Sequence, residues 1–397
     1  MAPLFTSILC ADWSRKPKGR EVYLADTLNR RIFREASIGG WTVDTVLARA
    51  RALKANGPTL VAFDAPLGLP MGYFRAVKDG SSRYRSCKTF VDWLVIAGKS
   101  DRLFKAVDNL DSWSVDQPFF ALPAGTGSRR RWEAHLAESG IDALRSIDRL
   151  TKAKPLFIVS GIPGSVGSAA CDLWRGLLPF LGRKEPEIAI WPFQGDLDEL
   201  SQSGSIVVGE IYPRAAYAAA LASEEPADRA PLDLAKNTPD VRYAAIRAIT
   251  TATWVQDHSV KIEDLNEAQE SADAFDALFT AAALLRCSLE GTPFSASGHE
   301  NVLSEGGILG AGSIDLGKPA RRFPPAALRL RAKRVAPGSG KSLPCPIPKC
   351  LKVFYGSRSG WDAHVASVGN HKKWRPGVTN PEQRKQLFRR LFARFFE

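Results

Sequence analysis

VAFDAPLGLP, residues 61–70, joins an apolar run to an aspartate and a turn that contains a proline. With Leu60 before it, the run has the length and composition of a strand that is buried on both faces of a sheet. Asp64 stands at the end of the run, and Pro66 restricts the backbone behind it. Two interpretations are open: Asp64 caps a turn, or it is a carboxylate held in place to bind a metal ion.

The sequence on either side of this strand predicts a mixed α/β sheet. Residues 6–14 and 20–27 are predicted to form a hairpin around a KPKG turn. Residues 41–57 have apolar residues at helical spacing and end in Asn-Gly, a helix stop. The further predicted elements are a strand at 30–37, the short apolar runs PLFIVSG, IAIWPF and SIVVGEIYP, and an alanine-rich helix from 270 to about 289. This order is typical of a mixed sheet with helices on both faces.

Charge divides the 397-residue chain near residue 320. From Arg321 onward there are 18 lysines and arginines against 3 acidic residues, whereas the part before it has 36 basic and 39 acidic residues. A polyanion is the expected partner of the basic end, and a solvated tail that aids solubility is the alternative. Composition predicts a body at 1–316 with a helical insertion at about 73–154, a linker at 317–342, a Cys/His module at 343–376 and a terminal helix at 380–397.

Two observations bear on the compartment. The sequence has no run of 18 apolar residues, and its first residues lack the pattern of a signal peptide. Four cysteines stand alone in apolar settings without a disulfide framework: Cys10, Cys87, Cys171 and Cys287. We therefore expect a cytoplasmic protein in a reducing environment and no membrane partner.

Five acidic residues lie where a metal ion could use them. Asp12 ends the first predicted strand, Asp64 ends the buried strand, and Glu210 follows the apolar run SIVVG. Asp273 and Asp276 share one face of the alanine-rich helix. Each has a structural explanation, as a turn cap or as a charge that suits the first turns of a helix. Brought together they would need a cation, and carboxylate oxygens favour Mg²⁺ or Mn²⁺, which in pairs promote phosphodiester hydrolysis.

Five segments of the body form a set: CADWS, VAFDAPLGLP, GSVGSAACDLWRGLLPFL, VGEIYPRAAY and SADAFDALFTAAALL. In these segments, which span roughly residues 6 to 315, the chain resembles domain-of-unknown-function family 429, predicted nucleases with a ribonuclease H-like fold. The resemblance implies a central five-stranded mixed sheet with Asp12 on its first strand. It also implies that the metal-binding acids are Asp12, Asp64 and either Asp276 or Asp273, with Glu210 as an additional acid.

The basic end contains cysteines and histidines at the spacing of a zinc site. Cys345, Cys350, His364 and His371 form the pattern C-x4-C-x13-H-x6-H. Two thiolates and two imidazoles complete a tetrahedral Zn²⁺ site, and the pattern resembles a two-Cys-two-His zinc finger with longer gaps than usual. Gly369-Asn370 is expected to end the helix so that the second histidine can fold back. The alternative is a basic loop in which these residues occur by chance.

Basic residues directly after this module indicate contacts with phosphate. They are Lys372, Lys373, Trp374 and Arg375, and the linker before the module adds six lysines and arginines between residues 321 and 334. Basic clusters with an aromatic residue suit phosphate contacts and base stacking. A finger that docks to protein is the rival interpretation.

Two other segments carry arginines. Arg129, Arg130 and Arg131 either guide a nucleic acid backbone or belong to a solvated loop. In residues 380–397 an apolar stripe is opposed by arginines, which predicts an amphipathic helix that packs on the body or on a protein partner.

Taken together, these features predict a divalent-metal-dependent nuclease that hydrolyses phosphodiester bonds in DNA or RNA. A structural Zn²⁺ and the basic tail would hold the nucleic acid. Two other classes stay open. One is a non-catalytic adaptor that binds nucleic acid or protein on the same scaffold. The other is an ATP-dependent phosphotransferase of the actin-like or sugar-kinase type, which normally needs two such halves, whereas the sequence shows one set of acidic motifs.

Overall fold

The computed structural model describes residues 3–123, 127–162, 165–183, 186–224, 229–295, 301–323, 342–344, 353–355 and 380–392. The chain divides into two compact units, Met1–Pro324 and Pro325–Glu397. The boundary between them falls inside the linker that the composition predicts.

The strands and helices are numbered in chain order. The strands are β1 (Ser7–Asp12), β2 (Glu21–Asp26), β3 (Arg31–Glu35), β4 (Thr59–Phe63), β5 (Phe120–Ala121), β6 (Ile158–Ser160), β7 (Ile188–Ile190), β8 (Ile206–Ile211), β9 (Leu232–Leu234), β10 (Lys261–Ile262), β11 (Ile308–Leu309), β12 (Arg321–Phe323), β13 (Ser342–Pro344) and β14 (Val353–Tyr355). The helices are α1 (Val43–Lys54), α2 (Met71–Gly80), α3 (Phe90–Ala97), α4 (Ser128–Glu138), α5 (Ser146–Thr151), α6 (Gly167–Leu177), α7 (Leu197–Gln202), α8 (Pro213–Leu221), α9 (Pro239–Thr250), α10 (Thr253–Asp257), α11 (Leu265–Glu270), α12 (Ala272–Glu290), α13 (Val302–Glu305) and α14 (Pro381–Phe392).

The first unit is built on a mixed sheet of eight strands flanked by helices, which confirms the predicted α/β class. The strand order is β10-β3-β2-β1-β4-β8-β11, and β7 also pairs with β8. The expectation of five strands is therefore wrong in number. The central five, β3-β2-β1-β4-β8, are joined by β7 and by two strands of only two residues each, β10 and β11. Two residues are too few to show a hydrophobic periodicity, so no sequence pattern marks these strands.

Strand directions bring particular strand ends together. β1 pairs antiparallel with β2, and β2 with β3, which confirms the predicted hairpin and the strand after it. β4 lies between β1 and β8 and pairs parallel with both. All residues of these three strands are buried, and this explains why they read as continuous apolar runs. Their carboxyl ends meet at one edge of the sheet.

The two faces of the sheet have separate hydrophobic cores. Leu9 and Val61 point into the core that contains α1, α3 and α6, whereas Ile8 and Leu60 point into the core that contains α8, α9 and α12. Successive strand residues alternate between the faces, as the pleat requires. Helix α12 is buried along most of its length. Its many alanines allow close packing on the sheet, which brings its acidic residues near the strand ends.

The turn after β4 is fixed by a close backbone approach to the 304–306 segment. Gly68 has φ +136°, and a Cβ there would lie 2.2 Å from the carbonyl oxygen of Glu305. The backbone N–H of Leu69 donates to the carbonyl of Ser304 at 2.7 Å. Only a glycine can adopt this positive φ and leave room for the carbonyl of Glu305. The backbone contacts with residues 304–306 therefore fix the turn that follows Asp64.

The second unit is described in part. β13 and β14 pair as an antiparallel hairpin, and α14 begins after Asn380, whose side chain accepts from the N–H of Glu382 at 2.8 Å. Phe388 is buried. The predicted zinc ligands Cys345, Cys350, His364 and His371, together with Lys372, Lys373, Trp374 and Arg375, lie outside the described residues.

Within the described ranges, no helix has both the length and the apolar character that a bilayer crossing requires.

Gly68→Ala is expected to lower the free energy of unfolding by about 2 kcal/mol or more, because the new Cβ meets backbone and the residue must keep a positive φ. Gly80→Ala is the matched control, since a Cβ at Gly80 meets no atom within 4 Å. Denaturant unfolding of both variants measures the difference. Equal stability of the two variants would contradict the close approach.

Candidate metal centre

The first two acids of the site are placed by neighbouring parallel strands. Asp12 is the last residue of β1, and Asp64 directly follows β4. Ala11 lies opposite Phe63 in the ladder, and the N–H of Asp64 continues the pairing by donating to the carbonyl of Ala11 at 2.9 Å. Both carboxylates therefore leave the same edge of the sheet. Asp12 is 7% exposed, and Asp64 is partly exposed.

The third acid comes from helix α12, which packs against β1 and β2. Asp276 is 1% exposed and lies in the second turn of this helix. One carboxylate oxygen from each of Asp12, Asp64 and Asp276 lies within 4.8 Å of the others. The three residues, which are far apart in sequence, form a group that we call the acid triad. This spacing suits oxygen ligands of a shared divalent cation.

Two polar side chains hold Asp276. The hydroxyl of Tyr217, on α8, donates to one of its carboxylate oxygens, and the ammonium of Lys236, in the loop after β9, donates to the other. The Lys236 side chain is 35% exposed, whereas that of Asp276 is 1% exposed. Lys236 therefore supplies the triad with a positive charge from the protein itself, and its side chain approaches the triad from the solvent side.

Burial raises the pKa of all three carboxyls, and the charges of nearby carboxylates add to the rise. Loss of water is the largest cause in each case. It raises the pKa of Asp12 well above its ordinary range, helped by the charges of Asp64 and Asp276. The pKa of Asp64 rises to about 8. Lys236 and Tyr217 oppose the rise at Asp276. A site that raises carboxyl pKa values in this way favours a cation that restores the charged form.

Asp273 lies at the margin of the triad. It is in the first turn of α12, where its N–H bonds to the capping hydroxyl of Ser271 at 3.2 Å. Its charge contributes to the raised pKa values of Asp12, Asp64 and Asp276. Asp273 therefore adds to the negative field, but it is not one of the acids whose oxygens converge.

Glu210 is held apart from the triad by an arginine. Its carboxylate forms two hydrogen bonds with the guanidinium of Arg145, at 2.6 and 2.7 Å, and accepts from the N–H of Leu67 at 2.7 Å. Arg145 also pairs with Asp148 at 2.8 Å, and all three charged side chains are almost fully buried. Glu210 therefore belongs to a closed ion-pair network that anchors the Asp64 turn through Leu67.

The arginines of the insertion lie on a helix and not in a loop. Arg129, Arg130 and Arg131 are in α4; Arg130 and Arg131 are exposed, and Arg129 is partly buried. Arg129 forms a 2.8 Å ion pair with Glu133, one turn further along the helix. A surface pair of this kind is weak, so these side chains can contact another molecule.

Sequence reasoning missed Lys236 and Tyr217. Tyr217 lies in the segment VGEIYPRAAY, four residues after Pro213 on α8, where it resembles any buried aromatic residue. Lys236 lies in an irregular loop, and its contact with Asp276 spans 40 residues. No local pattern marks such a contact.

The raised pKa of Asp64 fixes the sign of a pH effect. Between its ordinary value of 3.8 and about 8 the folded chain binds more protons than the unfolded chain, so the stability of the metal-free protein falls as pH rises through this window. Asp64→Asn should raise the metal-free melting temperature at pH 8 by about 2 °C or more, with a smaller gain toward pH 4. Thermal melts across this range measure it.

Asp44→Asn is the control, because Asp44 is exposed in the first turn of α1 on the other face of the sheet. It should show no such pH-dependent gain. A large loss of stability in Asp64→Asn at pH 8 would instead support the turn-cap interpretation.

Comparison with protein-family models, with curated proteins and with solved structures finds no match to this chain.

Proposed function

We propose that the protein is a divalent-metal-dependent nuclease that hydrolyses phosphodiester bonds in DNA or RNA. The observation that carries the proposal is the convergence of Asp12, Asp64 and Asp276, whose oxygens lie within 4.8 Å of one another at the end of the central sheet. Three carboxylates so close together are costly without a cation. Hard oxygen donors select Mg²⁺ or Mn²⁺.

The roles of the chain's own residues follow from their contacts. Asp12, Asp64 and Asp276 would hold the metal ions, which when bound supply an activated water and charge stabilisation at a phosphodiester. Tyr217 fixes the orientation of Asp276. Lys236 is partly exposed beside the triad, where its ammonium can attract a phosphate oxygen. Asp273 adds negative potential, which raises the affinity for cations.

The proposed relation to ribonuclease H-like nucleases draws on the same arrangement. The resemblance implies acids from the first strand, a later central strand and a C-terminal helix. Here Asp12 lies on β1, Asp64 follows β4, and Asp276 lies on α12. The central five strands, with β1 in the middle, are in keeping with this proposal.

Zinc binding by the second unit is also proposed, together with nucleic acid binding by its basic tail. Cys345 directly follows β13, and Cys350 comes three residues before β14. The C-x4-C spacing of the two cysteines is within the range that zinc sites use. We also propose a cytoplasmic location, because Cys10, Cys87, Cys171 and Cys287 are free thiols, as is usual in a reducing compartment.

A non-catalytic adaptor is the second candidate. The Lys236–Asp276 ion pair favours it, because an internal cation lets the acid triad persist without metal. The phosphotransferase alternative receives less support, since the described residues contain one central sheet and that class normally uses two such halves.

Cleavage assays test the nuclease proposal. In Mn²⁺ or Mg²⁺ the wild type is expected to cleave at least one of single-stranded, duplex and branched substrates. Asp64→Asn should reduce the rate by more than about 100-fold, because loss of a direct ligand exceeds the effect of an outer-sphere change. Asp44→Asn should cleave like the wild type. Tight binding of every substrate without cleavage would favour the adaptor.

Metal analysis tests the zinc proposal. The purified chain is expected to contain one equivalent of Zn²⁺, and Cys350→Ser should lose it because a three-ligand site binds far more weakly. Cys171→Ser, at a cysteine of the first unit, is the control. Equal zinc content in all three proteins would count against the assigned ligands.

A further inference from the structure

A cleft of about 410 Å³ lies at the start of α8, the helix that also carries Tyr217. It is formed by the end of α5, the start of α8, the residue before β9 and the segment 316–320. Its lining residues include Arg149, Lys152, Tyr212, Arg214 and Lys318. This volume is within the usual range for sites that take small ligands or parts of larger ones.

Every charged residue that lines the cleft is basic: Arg149, Lys152, Arg214 and Lys318. Arg149 and Lys152 are exposed. Arg149 has a surface partner in Asp142 at 2.6 Å, and Arg214 has one in Asp233. Ion pairs at exposed positions are weak, so an incoming anion can replace these partners. The cleft therefore suits a ligand with more than one negative charge.

The cleft and the triad share structural elements. Tyr212 and Arg214 line the cleft at the start of α8, and Tyr217, on the same helix, bonds to Asp276. Five residues along a helix correspond to about 7.5 Å. Asp233, the partner of Arg214, lies three residues before Lys236, which is the other donor to Asp276. Two segments of the chain, α8 and residues 233–236, therefore join the cleft to the donors that hold Asp276.

Tyr212 links the two sites electrostatically as well. Burial, and next to it the charge of Asp64, raise the pKa of the Tyr212 phenol to about 12. The phenol therefore stays neutral at physiological pH and offers a ring beside four basic side chains. Aromatic residues next to basic ones are typical of surfaces that bind single-stranded nucleic acid.

We propose that this cleft binds the phosphates of a nucleic acid strand and thereby places the neighbouring phosphodiester at the acid triad. The placement of a phosphodiester at the triad rests on the proposed nuclease function, whereas phosphate binding by the cleft does not. The chemistry that the cleft recognises is the phosphate group. A strand is favoured over a free nucleotide because α8 and residues 233–236 join the cleft to the donors of Asp276, and a strand offers several phosphates at once.

Binding of a fluorescein-labelled single-stranded dodecanucleotide, measured by anisotropy in a salt titration without added Mg²⁺ or Mn²⁺, tests the cleft. The variant is Lys152→Glu combined with Arg149→Gln, both at exposed positions. The slope of log affinity against log salt should become shallower by about 0.7 for each phosphate that the variant no longer neutralises. The basic tail is present in every protein, so its contribution cancels in the comparison.

Lys54→Glu is the matched control, because Lys54 is exposed at the end of α1 on the opposite face of the sheet. It should keep the wild-type slope, and thermal melts should show that both variants are folded. Inorganic phosphate and a mononucleotide serve as competing ligands, and each is expected to displace the strand only weakly. A cleft variant that binds like the wild type overturns the proposal, and so does a mononucleotide that binds as tightly as the strand.

Cleavage measured in parallel separates this proposal from the nuclease function. If Asp64→Asn abolishes cleavage while the cleft variant keeps the wild-type slope and KM, the cleft assignment fails and the nuclease stands. If the cleft variant has a shallower slope and a weaker affinity but no protein cleaves, the strand-binding cleft stands and the hydrolytic function fails.

Discussion

The carboxylates of Asp12, Asp64 and Asp276 repel one another at short range, and the fold has to hold them there against that repulsion. Two are fixed by the parallel pairing of β1 with β4, and the third depends on the packing of α12 against the sheet. The alanines of α12 permit this close packing. The geometry of the triad therefore depends on the core that contains α8, α9 and α12, because weaker packing of α12 would move Asp276 away from the strand ends.

Two neighbouring groups of acids are neutralised in different ways. Glu210 and Asp148 share the guanidinium of Arg145, and all three side chains are almost fully buried. This network is closed, and loss of one partner would leave unpaired buried charges. The triad has a single lysine, and that lysine is partly exposed. The contrast assigns the first group to holding the Asp64 turn, and it supports the proposal that the second group binds an exchangeable cation.

Much of this arrangement follows from local sequence. Continuous apolar runs indicate β1, β4 and β8, and parallel strands necessarily bring Asp12 and Asp64 to one edge. The alanine-rich helix carries Asp276. What sequence could not provide depends on distant contacts: Glu210 meets Arg145 across 65 residues, and Asp276 meets Lys236 across 40. Strands of two residues, such as β10, form because neighbours are already in place, and their own sequence does not specify them.

Lys236 gives the molecule a counterion of its own. A newly made chain can close the sheet and α12 around the three acids before any divalent ion arrives, because the ammonium supplies part of the missing charge. If the triad binds metal as proposed, folding and cation loading are separate events. In a cell where free Mg²⁺ or Mn²⁺ varies, the protein would persist in an unloaded, assembled form, ready for use when the ions become abundant.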